Sequence, residues 1–125
     1  MNHSLGCNEI FIAIADPDGQ SLTDFYSQLF GRSPDSYIPQ VYAEYRLPGL
    51  RLGLFKPKSE HWAEFAHSAN SGMSLCLEVK NLEQAIAHLT QMGYPPTGSL
   101  TVASHGREIY AYDPLGNRLI LHESA

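Results

Sequence analysis

Glu9, Cys76, His105, Arg107 and His122 are side chains of this 125-residue chain whose types could do chemistry. Glu9 opens the run Glu9-Ile10-Phe11-Ile12-Ala13-Ile14, and Cys76 sits inside Ser74-Leu75-Cys76-Leu77-Glu78-Val79. Successive residues of a strand point to opposite faces. If both runs are strands, Glu9, Phe11, Ala13 and Ser74, Cys76, Glu78 point one way, and Ile10, Ile12, Ile14 and Leu75, Leu77, Val79 the other. A carboxylate facing a partly apolar cavity is a candidate acid–base group, or an anchor for a cationic or hydroxylated ligand. The simpler role for Glu9 is an ion pair at the rim with Arg51 or Arg118. Cys76 has no base beside it in sequence and reads as a small packing residue. Glu78 reads as a structural hydrogen-bonding group. Arg107, in His105-Gly106-Arg107, could clamp an anion or stay solvated. Tyr110 and Tyr112 share a face and could stack on a flat ligand or simply pack. Tyr42 and Tyr45 are three apart, so only one of them faces inward.

The histidines make a metal site hard to assemble. His61 and His67 are six apart, roughly 240° around a helix, so they share no face. His88 is expected on the outer side of a helix, and His3 near the N-terminus. His122 shares a strand face with Ile120.

The elements that must position these residues come in two similar sets. After the first run, Asp16-Pro17-Asp18-Gly19 is a turn. Ser21 stands three before Asp24, a capping-box-like helix start. Leu22, Phe25, Tyr26, Leu29 and Phe30 form one helical stripe ending at Gly31. Residues 32–40, with Pro34 and Pro39, read as loop. Val41–Leu47 and Leu50–Phe55 read as strands around Pro48-Gly49. Residues 57–72 read as a linker, with Trp62 and Phe65 pinning one helical turn to the body. The second set repeats the order. Asn81 is the expected N-cap with Gln84 as its reciprocal partner. Leu82, Ala85, Ile86 and Leu89 form the stripe, and Gly93 the stop. Strands are expected at Thr101–Ala103, Glu108–Tyr112 and Arg118–His122, the last two joined by Asp113-Pro114-Leu115-Gly116-Asn117. Leu52, Leu54, Leu119 and Leu121 would pack on the helices. Arg51, Gly53, Phe55, Arg118, Ile120 and His122 would face inward.

A net charge of -5, with Lys and Arg scattered, argues against nucleic acid or an anionic membrane as partner. No apolar run approaches the ~20 residues a membrane helix needs. The first residues carry neither the basic nor the apolar part of a signal peptide. Two isolated cysteines, outside any CxxC, fit a reducing cytoplasm.

In this order and spacing the motifs resemble the vicinal oxygen chelate superfamily, which includes glyoxalase I, bleomycin-resistance proteins and extradiol dioxygenases. The residues that carry the resemblance are Asp16, Phe25-Tyr26 and Leu29-Phe30-Gly31, then Leu77-Glu78-Val79 with Asn81-Leu82, and Tyr112 to Leu119. It spans about residues 9–123. It implies an α+β fold of two βαβββ modules, about 8–56 and 73–123, forming a curved, open-barrel mixed sheet with helices outside. It also implies a homodimer. Metal-dependent relatives hold a divalent ion on inward His, Gln or Glu side chains, and carried over by position those slots are Glu9, Gly53, Ser74 and Ile120. Gly53 and Ile120 offer no ligand and Ser74 a poor one, whereas a catalytic site needs about three protein ligands. The expectation is a small-molecule binder without a cofactor, its ligand touching Glu9, Phe11, Ser74, Cys76, Arg107, Tyr110 and His122. The alternatives are a lyase or dioxygenase working through Glu9 or a shifted metal site at Glu9 and His122, and a non-catalytic protein-interaction domain.

Overall fold

The computed structural model describes residues 4–125; His3 lies outside the described residues. β1 (Ile12–Ala15), α1 (Ser21–Phe30), β2 (Ser36–Ile38), β3 (Tyr42–Leu47) and β4 (Leu50–Phe55) form the first module. β5 (Leu75–Glu78), α2 (Leu82–Met92), β6 (Thr101–Ala103), β7 (Gly106–Tyr112) and β8 (Arg118–Ser124) form the second. The sheets run β1-β4-β3-β2 and β5-β8-β7-β6, so the fold is α+β with two four-stranded mixed sheets and no closed barrel. In each sheet the first strand lies parallel to the last, and the other pairings are antiparallel.

The helices form where the stripes put them and bury those stripes against the sheets. Leu22, Phe25 and Tyr26 of α1 and Leu82 and Leu89 of α2 are buried with Leu52, Leu54, Leu119 and Leu121. Each such side chain contributes about 1.5–3 kcal/mol by leaving water. Ala43, Tyr45, Ile109 and Ala111 complete the same layer from β3 and β7. Gly31 and Gly93 end the helices in the left-handed region, at φ 64° and 95°. Asn81 caps α2 by accepting from Gln84 N–H at 2.9 Å.

Four expectations need correction. The first strand starts at Ile12, not Glu9. Ile12 opposes Leu52, so Phe11 and Ile10 fall opposite Arg51 and Leu50 at the very start of β4, and Glu9 falls at the hairpin turn beyond it. Ile10 is consequently 85% exposed and does not pack on the helices. α1 is not started by a capping box. Its N-cap is Gln20, without a side-chain cap. Asp18 Oδ1 instead accepts from the Gln20 and Ser21 N–H groups at 2.8 Å each, and buried Asp16 accepts from Leu22 N–H at 3.0 Å. The segment 32–40 is not all loop: Ser36–Ile38 forms β2 on the edge of β3, flanked by the two prolines. The linker holds two 3₁₀ turns, Ser59–Phe65 and Ser68–Asn70, with the Phe65 ring edge-on to Phe55 at 5.4 Å.

Strand register relates the modules residue by residue. Leu75 opposes Leu119 as Ile12 opposes Leu52. Phe11 therefore corresponds to Ser74, Ala13 to Cys76, Arg51 to Arg118, Gly53 to Ile120 and Phe55 to His122. Glu9 falls two residues before the position that its place in sequence suggested.

Candidate functional site

β1 and β5 are both edge strands, and a cavity of about 340 Å³ opens between them. Ile12–Ala15 form one wall and Met73, Ser74 and Leu75 the other. Glu64, Phe65 and His67 close it from the linker, and Tyr26, Asn117 and Arg118 reach it from behind. An edge strand presents unpaired backbone donors and acceptors, so the space combines apolar walls with directed polar groups, the usual composition of a small-molecule site.

Arg118 is the cavity's cation. Its Nε donates to Ser74 Oγ at 2.6 Å, and its Nη2 to the Ser71 carbonyl at 2.9 Å. Ion pairs occupy Arg32, Arg46, Arg51 and Arg107. Among the described residues, Arg118 is held by neutral oxygens alone. A guanidinium fixed by neutral acceptors keeps its charge available to an anion.

The expected site residues are scattered. Ser74 alone of the seven lines the cavity. Glu9 lies outside the strand and pairs with Arg51 at 2.7 Å, and the Arg51 guanidinium sits 4.2 Å over the Phe11 ring. Cys76 and Tyr110 stand on the exposed inner face of the second sheet, flanking Ile120 in register. Arg107 is taken by Glu83 and Glu123, each at 2.7 Å, on the side where β8 meets α2. His122 bonds Glu78 on one side and His105 on the other, within its own module. Glu9 and His122 thus have separate partners in separate modules. Glu78 hydrogen-bonds β8 through His122 and Ser124. His88 bridges the helices through the Gln28 carbonyl at 2.8 Å.

Sequence reading missed the cavity roles of Arg118, Asn117 and His67. Strand alternation had already turned Arg118 inward, and that was the available signal. His67 lies in an irregular linker, where no periodicity tells which way a side chain faces.

The residues at the metal slots do not fit a divalent ion. A Cβ on Gly53 would lie 2.6 Å from the Tyr42 hydroxyl, which fills that slot and donates to Glu44 at 2.9 Å. Ile120 is apolar, Ser74 is engaged by Arg118, and register puts Phe11 in the remaining slot. Among the described residues no three His, Cys, Asp or Glu side chains are arranged to hold a metal ion.

Comparison with known proteins decides the family. The model of the Glyoxalase/Bleomycin resistance protein/Dioxygenase superfamily matches residues 8–121. The chain belongs to that superfamily. A glyoxalase / bleomycin resistance protein from Catenulispora acidiphila is similar at 20% identity and a TM-score of 0.68, over 93% of this chain and 97% of that one. A bleomycin-binding protein complexed with bleomycin is similar at 18% and 0.66, over 95% and 100%. The fosfomycin resistance protein FosX from Listeria monocytogenes, complexed with Mn(II) and sulfate, is similar at 15% and 0.73, over 94% and 90%. At such identities the likeness is one of fold, and a shared fold does not carry an activity with it. No curated protein matched.

Proposed function

We propose that the chain is a small-molecule-binding protein of the glyoxalase/bleomycin-resistance type that works without the superfamily's standard metal site. The observation that carries this reading is Arg118, a cation held by neutral groups at the wall of an apolar cavity. The ligand class it favours is a compact molecule with an apolar body against Ile12–Ala15 and Met73 and an anionic or strongly accepting group at Arg118. The bleomycin-binding neighbour supports small-molecule capture as the use of this fold. The chain is further proposed to act as a homodimer in the cytoplasm. Exposed Leu5, Ile10 and Val102 support the dimer, and two exposed, unbridged cysteines fit a reducing compartment. No helix among the described residues is long and apolar enough to cross a membrane.

The test is a melting scan in EDTA with bleomycin and a panel of small aromatic and aliphatic carboxylates, followed by one with Mn, Fe, Ni and Zn. A ligand that binds only the folded state raises Tm with its concentration. A carboxylate-dependent rise that Arg118→Met removes supports the reading. A rise with a divalent ion alone, matched by stoichiometric metal in the purified protein, would overturn it.

A further inference from the structure

The second sheet carries a cluster that the cavity does not use. Glu78, His122 and Glu108 oppose one another across β5, β8 and β7, so their side chains share the inner face. His122 Nδ1 bonds the Glu78 carboxylate, and Ser124 Oγ donates to the other oxygen of Glu78 at 3.1 Å. His122 Nε2 meets His105 Nδ1 at 3.0 Å. The two imidazole centroids are 5.2 Å apart and their planes differ by only 25°. A separation that large with the nitrogens at 3.0 Å means the rings meet edge to edge, nitrogen facing nitrogen, not stacked face to face. Gly106 makes room for this contact: a Cβ there would lie 3.1 Å from His122 Nε2. The Ala125 N–H donates to the His105 carbonyl at 3.2 Å and fixes the turn that presents the ring.

We propose that Glu78, His122 and His105 form a proton relay, a general-base site separate from the cavity. Which nitrogen of a histidine is protonated is set by the bond the other nitrogen makes. With Glu78 accepting from His122 Nδ1–H, His122 Nε2 is left to accept from His105 Nδ1–H. The outer nitrogen, His105 Nε2, then carries a lone pair toward solvent. When a water or alcohol gives up its proton, the O–H bond breaks and an N–H bond forms at His105 Nε2. The Nδ1 proton of His105 passes to His122 Nε2, and the positive charge comes to rest on His122 beside the Glu78 carboxylate. The relay thus moves one proton and stores the charge where a carboxylate holds it. Glu108 from β7 and Glu78 from β5 flank the site, and Ser124 and Ile120 are its neighbours along β8. That balance favours a neutral or cationic substrate over an anion. The substrate class is an activated neutral acyl compound attacked by water or an alcohol: the oxygen freed of its proton bonds the acyl carbon, and the leaving group departs with the electron pair.

The relay is tested by following the ring nitrogens and protons of the whole chain by NMR across pH, beside the hydrolysis of p-nitrophenyl acetate. His105 is expected to carry its proton on Nδ1, donated to His122 Nε2, with the His122 Nδ1 proton slow to exchange. Glu78→Gln should speed that exchange, and Glu78→Gln and His105→Gln should each slow ester hydrolysis about tenfold or more. His61→Gln, in the linker, should leave the rate unchanged. A His105 proton on Nε2 instead of Nδ1, or a Glu78→Gln protein that keeps both the slow exchange and the rate, would overturn the proposal. All three substitutions fall on exposed side chains, so the fold is expected to survive them. Neither readout involves Arg118 or the cavity.

Discussion

Tyr26 Oη donates to Asp113 Oδ2 at 2.8 Å, a buried hydrogen bond between residues 87 apart in sequence. It ties α1 of the first module to the turn between β7 and β8 of the second, directly behind the cavity. Asp113 also accepts from the Leu115 and Asn117 N–H groups and from the Asn117 side chain, so the same carboxylate shapes that turn. Burial, with the Asp113 charge beside it, holds the Tyr26 hydroxyl well above the usual tyrosine range, so it stays a donor at every ordinary pH.

Tyr26→Phe should therefore cost about 1–3 kcal/mol, because it leaves a buried acceptor short of one donor while removing almost no volume. Urea unfolding of the variant checks the size. A change within error would mean that the three remaining donors satisfy Asp113 unaided.

Gly106→Ala should destabilise far more than Gly53→Ala. At Gly106, φ is 140° and an added Cβ would collide with the Glu123 carbonyl oxygen, which is backbone and cannot swing away. At Gly53 the obstacle is the end of the Tyr42 side chain, which can move if it gives up its bond to Glu44. The expected losses are about 3 kcal/mol or more against about 1–2 kcal/mol, by analogy with strained backbone and overpacked sites. Equal melting points would contradict this.

Asp16 makes stability fall with rising pH. Burial is the main cause that pushes its carboxyl up from 3.8 to about 6, and the Leu22 N–H offsets part of that rise. Its second oxygen is buried without a partner among the described residues. The folded chain thus keeps a proton that the unfolded chain has already lost between these two values. The stabilising contribution is complete below the lower value and disappears as pH rises through the upper one. Asp18 works in the opposite sense. The Ser21 hydroxyl and the N–H groups of Ser21 and Gln20 hold it well below the usual carboxylate range, so its contribution is present above 3.8 and lost as pH falls. Urea midpoints measured from pH 4 to 7 should show an Asp16 component that Asp16→Asn flattens. A slope unchanged by that substitution would assign the pH dependence elsewhere.

Arg107→Ala should loosen the joint between α2 and β8 without touching the cavity. The guanidinium spans Glu83 and Glu123, and Glu123 also accepts from Leu82 N–H at 2.8 Å, capping the helix. Exposed pairs of this kind contribute little and weaken with salt. The difference between the variant and the parent should shrink from low to high salt, read by thermal melting.

Much of this architecture was legible in the chain because it rests on repeated, local rules. Leucines two apart in Leu52-Gly53-Leu54 and Leu119-Ile120-Leu121 name the buried face, and Gly31 and Gly93 mark helix ends. The start of β1 was not legible, because Glu9-Ile10-Phe11 has strand composition, while the partner strand begins only opposite Ile10, at its hairpin turn. Helix α1 was misread at its cap because Asp16 and Asp18 supply from within the turn what Ser21 seemed placed to supply. For the site, alternation turned His122 and Arg118 inward correctly. It said nothing of what each would meet, since His105 comes from a turn and Ser71 from the linker. Pairings of that kind depend on the path of irregular backbone, which no periodicity encodes.

The register that superposes Leu52 on Leu119 and Leu54 on Leu121 also superposes Gly53 on Ile120 and Phe55 on His122. The helix-facing residue is the same in both copies, and the inward one differs. Each strand thus carries two independent texts, one read by the core and one open to revision. A duplicated module of this kind can acquire new chemistry on one half while the other keeps the shape. Grafting the Glu78, His122 and His105 positions onto Ala15, Phe55 and the turn before β3 would be a way to ask how far that freedom extends.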